Sequence, residues 1–149
     1  MRRLLLSFAL ALALSALGAG SALAEAPEGA QKAPLYGPAP TTNCGTGAEP
    51  TAKTFGSAVL NTPGNEMTLS GEVSLKRAAP NTTYDIEVVE VTVVGCSETS
   101  AGTITTNKKG NGNDHINVAR SVFGEKFWVE IELPGEEEPE FASPAVELD

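Results

Sequence analysis

GEVSLKRAAPNTTYDIEVVEV, residues 71–91, decides how this chain folds. Val73 and Leu75 alternate with Glu72 and Ser74, the period of a strand with one dry face and one wet face. Pro80-Asn81-Thr82-Thr83 then interrupts the pattern with turn chemistry. Proline fixes φ, and asparagine tolerates a tight bend. Tyr84, Ile86 and Val88 start a second alternation against Asp85, Glu87 and Val89. Beyond Val89 the parity slips, because Val91 and Val93 fall on the register of Asp85. A bulge near residues 88–89 would account for the slip.

The same texture extends in both directions. Met67 and Leu69 carry the first alternation upstream, and Gly71 lies on its apolar side, where it allows a bend or close packing. Residues 54–60, 103–107, 113–118, 126–133 and 141–148 read as further strands. Asn61-Thr62-Pro63-Gly64-Asn65, Lys108-Lys109-Gly110-Asn111-Gly112 and Pro134-Gly135 are turns between them, and Glu136-Glu137-Glu138-Pro139-Glu140 is a solvated acidic loop. No helical period appears after residue 50. The expectation is an all-β, antiparallel, immunoglobulin-like sandwich of about seven strands over residues 51–149.

Leu75, Pro80, Thr82, Tyr84, Ile86 and Val88 together resemble the corner of fibronectin type III and related immunoglobulin-like domains. That resemblance implies a structural role for Pro80 and Tyr84, with the Tyr84 hydroxyl bonded to nearby backbone. The stretch is also similar to small secreted bacterial sandwich domains of unknown function, a likeness that implies no activity. Asn81-Thr82-Thr83 fits a glycosylation acceptor, and the turn explains the same residues without a glycan.

MRRLLLSFALALALSALGAGSALA, residues 1–24, has two cations, an apolar run and an Ala-x-Ala ending, the order found in a cleaved signal peptide. Cleavage implies an extracytoplasmic protein, secreted or at the cell surface, with no stable membrane insertion afterwards. Two of the ten cations fall in that segment and none of the nineteen acids does, so the remainder carries a net charge of −11. Such acidity lacks the basic footprint that binding to nucleic acid or an anionic membrane requires. Residues 25–50 hold Pro27, Pro34, Pro38, Pro40 and Pro50 among Ala, Gly and Thr, and read as a flexible linker. Cys44 and Cys96 are the two cysteines. Outside the cytoplasm an even count reads as one disulfide, the alternative being two free thiols. A metal site is a poorer reading, since thiolate sites want three or four soft ligands.

Residues able to carry chemistry are few. His115 is the single histidine, and its parity is opposite to Ile116 and Val118, which turns it to solvent. Nothing around it resembles a nucleophile elbow. The glutamates sit in loops or on wet strand positions, with little aromatic lining for a glycosidase cleft. Asn107, Asn111, Asn113 and Asp114 offer one carboxylate beside Lys108 and Lys109, a poor calcium loop and a good Asx-rich turn. No catalytic, cofactor-binding or metal residue is assigned. Trp128 lies opposite Phe127, Val129 and Ile131, so it points outward, either to meet a protein or glycan partner or to be covered by another segment. The reading is a non-catalytic binding or structural module. A small extracellular hydrolase and a self-assembling subunit pairing by an edge strand are the alternatives.

Overall fold

In the computed structural model, which describes residues 29–63, 67–120, 124 and 126–148, every regular element is a β-strand. The segment read as a signal peptide lies outside the described residues. In chain order the strands are β1 (Ala30–Tyr36), β2 (Thr42–Asn43), β3 (Gly47–Ala48), β4 (Thr54–Asn61), β5 (Thr68–Leu75), β6 (Thr83–Thr92), β7 (Gly95–Thr105), β8 (Gly112–Ala119), β9 (Lys126–Glu132), β10 (Phe141–Ala142) and β11 (Val146–Glu147). Among the described residues no helix is long and apolar enough to cross a membrane.

The fold is all-β and antiparallel, but its architecture differs from the expected seven-stranded immunoglobulin-like sandwich. Nine strands form one sheet, in the order β7-β6-β9-β10-β1-β4-β5-β8 with β11 also on β9, and the sheet curls into a nearly closed barrel. The two halves of the curl meet at a thin joint, the pairing of Tyr36 in β1 with Ala142 in β10. At the opposite margin β7 and β8 approach beside the turn at residues 106–111, where a methyl group on Gly112 would lie 2.8 Å from the Thr105 carbonyl oxygen. No ladder joins β7 to β8 among the described residues.

The element that changes the architecture is β1. Residues 25–50 are expected as a flexible linker, yet Leu35 is fully buried, Ala33 is nearly so, and all of β1 pairs with β4. A proline inside a strand ordinarily argues for an edge. Pro34 is accommodated because, among the described residues, Ala30–Leu35 has a ladder partner on one side only. Phe55 is the extra residue where Leu35 meets Gly56 and Tyr36 meets Thr54. Such a bulge bends β4 locally.

One apolar core fills the curl. Leu35, Ala58, Leu60, Leu69, Val73, Leu75 and Ile116 come from one half, and Tyr84, Ile86, Val88, Ile104, Phe127, Val129 and Ile131 from the other. Each large side chain buried in this way contributes about 1.5–3 kcal/mol relative to exposure. Gly71 is at a close crossing: a Cβ there would collide with the Val59 carbonyl oxygen and press on Leu60. The Tyr84 hydroxyl accepts a hydrogen bond from the Ala79 amide at 3.2 Å, and its ring packs edge-on against Phe141. Asn81 turns the corner at φ 53° with Pro80 exposed beside it.

The parity slip after Val89 has a different cause from the expected bulge at residues 88–89. β6 stays in continuous register with β9 from Asp85 to Val91. Val89 is buried on the opposite face from Val88, because the outer side of this part of the sheet is also covered. The shift that does occur is between β6 and β7, where Ile86 meets Gly102 and Glu87 meets Ser100, leaving Ala101 as the extra residue.

Candidate functional site

A small hairpin, β2–β3, is pinned over the outer face, and of the two alternatives for Trp128 the structure shows a covered side chain. Cys44 at the hairpin turn is bonded to Cys96 on β7, with the two Cα atoms 5.8 Å apart. The turn and returning arm of the hairpin are tied to the segment beyond β10, by Ala145 N–H donating to the Thr46 carbonyl and Ala48 N–H donating to the Ser143 carbonyl. Lys126, Val91 and Cys96 lie side by side across β9, β6 and β7, on the face that carries Trp128 and Val89. To reach from Ser143 to Cys96 the hairpin must cross that face. Trp128 has the outward parity expected of it, but it is only 3% exposed. Its indole Nε1–H donates to Glu130 Oε1 at 3.0 Å. A buried indole with its N–H satisfied is a packing element, and it offers no surface to a ligand.

Next to this covered patch the outer face of β6, β7 and β9 is acidic, with Asp85, Glu87, Glu98, Glu130 and Glu132 on one side of the sheet. Burial pushes the carboxyls of Glu87 and Glu132 above the ordinary range, and the surrounding acids push the same way. At Glu87 a hydrogen bond to Ser100 works against the rise. A carboxyl whose folded pKa is raised holds its proton more tightly in the folded state. Both groups therefore oppose folding when ionised, and the penalty fades as pH falls through their folded values toward 4.5. Because solvent screens them, the expected effect is small: Glu132→Gln raises stability at pH 7 by about 0.5 kcal/mol. Urea unfolding should show that gain at pH 7 and its loss below pH 4.5. Among the described residues no three His, Cys, Asp or Glu side chains gather as a metal site.

His115 faces solvent on β8, as its parity requires, and its Nδ1 lies 3.0 Å from Glu72 Oε1 across the β5–β8 ladder. Both side chains are more than half exposed on an open sheet surface. The turn at residues 107–111 is held by Asn107, whose Oδ1 accepts from the Lys109 and Asn111 amides. Its oxygen is thereby committed to the turn.

The concave surface with a distinct chemistry lies elsewhere, on the outer face of β1, β4 and β5. It is a shallow groove of about 430 Å³. Its floor is set by register, since Pro34, Ser57 and Ser74 lie in one row across the three strands. All three are compact, so a hollow remains. Long cations rise on either side: Lys32 from β1, and Lys76 with Arg77 from the end of β5. Gly56 lets β4 approach β5 beneath the floor, for a Cβ there would run into the Ser74 carbonyl. The Ser57 and Ser74 hydroxyls are 3.4 Å apart and weakly bonded to each other. No Asp or Glu lines the groove among the described residues. A smaller hollow continues from it, sharing Thr54 and Arg77 and adding Lys53 and Phe55.

Arg77 is held deliberately. Its φ is 61°, in the left-handed region that costs a non-glycine residue roughly 1–2 kcal/mol. Its amide donates to Asn111 Oδ1 at 3.3 Å, and its Nη2 donates to the Thr54 carbonyl at 2.9 Å. These bonds fix the guanidinium at one end of the groove. Lys32, Lys76 and Arg77 were not among the residues singled out from sequence. The available signal was the adjacent Lys76-Arg77 pair at the end of a strand in an acidic chain. Lys32 was hidden in a segment read as linker.

No protein-family model matches the chain, and neither a curated protein nor a solved structure matches it.

Proposed function

We propose that this protein is an extracytoplasmic, non-catalytic binding module, and that the groove on β1, β4 and β5 is its working surface for an anionic partner. The observation that carries this reading is charge segregation. A chain of formal net charge −9, or −11 without its first 24 residues, places three cations around one hollow with no carboxylate in the lining among the described residues. Local fields of this kind act within a Debye length, about 8 Å at physiological salt, so the groove attracts an anion that the molecule as a whole repels. The extracytoplasmic location is supported by the disulfide and by the signal-like residues 1–24. We assign no catalytic role to His115, which pairs with Glu72 on an open surface.

A sulfonate cation-exchange resin tests the reading without assuming a ligand. At neutral pH and about 0.1 M salt, where fields act over only about 10 Å, the protein should be retained in spite of its negative charge. Lys76→Glu with Arg77→Glu should flow through, whereas Lys108→Ala with Lys109→Ala, in the turn outside the groove, should still be retained. Flow-through of the unaltered protein contradicts the reading.

A further inference from the structure

Resting on that reading of the groove, we infer that its ligand is an acidic oligosaccharide, a short chain of sugar units bearing carboxylate or sulfate groups. The groove offers three kinds of contact at once. The first is charge at both rims. Lys32 on β1 and the Lys76-Arg77 pair just past β5 are separated by two strand spacings across the sheet, roughly 10 Å, and by four residues along it, roughly 13 Å, since Lys32 shares a row with Val59 and Glu72. A ligand meeting both rims is longer than one inorganic anion and carries negative charge at more than one point. The planar fork of Arg77 suits a carboxylate or sulfate, which presents paired oxygens.

The second contact is a hydroxyl floor. Ser57, Ser74 and Thr54 each carry a group that both donates and accepts, as sugar hydroxyls do. The 3.4 Å separation of the two serine oxygens is long for an O–H···O bond, so little is lost when a ligand hydroxyl replaces it. The third contact is apolar. Pro34 in the floor and the half-buried Phe55 in the adjoining hollow present carbon faces of the kind that cover the C–H side of a sugar ring.

The alternatives fit less well. An extended acidic peptide gains most of its affinity by adding a strand to an open sheet edge. The groove instead lies on the face of the β1–β4 and β4–β5 ladders, whose backbone groups are paired with each other. A long polyanion such as nucleic acid would overrun the rims. Glu72 stands one row beyond the floor on the same face, beside Val59, with Lys32 at the other end of that row.

The test is calorimetric titration of the folded protein at low and at about 150 mM ionic strength. The probes are an oligogalacturonate, a sulfated chondroitin oligosaccharide, a neutral malto-oligosaccharide and a glutamate peptide matched in charge. One or both acidic saccharides should bind, more weakly at the higher salt. The two acidic arms separate a carboxylate requirement from a sulfate requirement. The neutral sugar and the peptide should be at least about tenfold weaker, and Lys76→Ala or Arg77→Ala should cost about tenfold each, as for loss of a charged hydrogen bond. Ser57→Ala with Ser74→Ala should weaken the saccharide severalfold while leaving retention on the sulfonate resin unchanged, a difference that a general anion site would not produce. Circular dichroism of each variant checks its folding. Peptide binding equal to saccharide binding overturns the sugar assignment and leaves the anion groove standing. Retention on the resin with no saccharide binding does the same. Loss of retention and of all binding overturns both.

Discussion

Replacing both Cys44 and Cys96 by serine is expected to cost about 4 kcal/mol of folding stability, the chain-entropy value for a closure spanning 52 residues. Both cysteines are exposed, so the substitution leaves no buried hole and no stranded polar group. The loss measures the cross-link itself. It has a local signature as well. Without the bond, the β2–β3 hairpin keeps its backbone anchors to residues 143–145. Trp128 should then gain water, and its emission should move to longer wavelength before the sheet unfolds. Urea unfolding followed by fluorescence and by circular dichroism reads both effects. A loss under about 1 kcal/mol with unchanged emission would mean that the hairpin holds its place without the clamp.

Leu35→Ala is expected to destabilise the protein by about 2–5 kcal/mol, the range for removing a buried leucine side chain from a packed core. Leu35 is completely buried within the cluster that includes Leu60, Leu75 and Phe141. A residue in a mobile leader would give a change near zero, so the outcome separates two accounts of the N-terminal region. Equilibrium urea unfolding is the measurement. An effect below about 0.5 kcal/mol would place β1 outside the cooperative unit.

The sequence made some of this legible and hid the rest for physical reasons. β5 and β9 were readable because each has one wet face or a clear run of apolar alternation, and the outward parity of His115 and Trp128 followed from the same period of two. Exposure did not follow from parity. Trp128 points away from the core but is buried on a face over which a hairpin beginning 86 residues earlier is pinned, and no local pattern announces such burial. Val89 misled for the same reason, its burial on the second face looking like a shift of register. β1 was hidden by Pro34 and by small neighbours, although Ala33 and Leu35 carry the strand period. The first half of β7 was hidden because residues 96–100 are exposed on both faces, so nothing selects an alternation there. The groove could not be read at all. Its parts, at positions 32, 34, 57, 74, 76 and 77, become neighbours only when β1, β4 and β5 lie side by side. The acidic average of the composition further masked a basic patch built from three of its few cations.

Nuclear magnetic resonance of the ¹⁵N-labelled protein, titrated with sodium sulfate at constant ionic strength, addresses the groove most directly. Amide shifts that saturate and centre on Ser57, Ser74, Lys76 and Arg77, with Glu87 and Glu132 unmoved, are the expected result. Shifts that grow without limit, or that centre away from these strands, would contradict an anion site at this place.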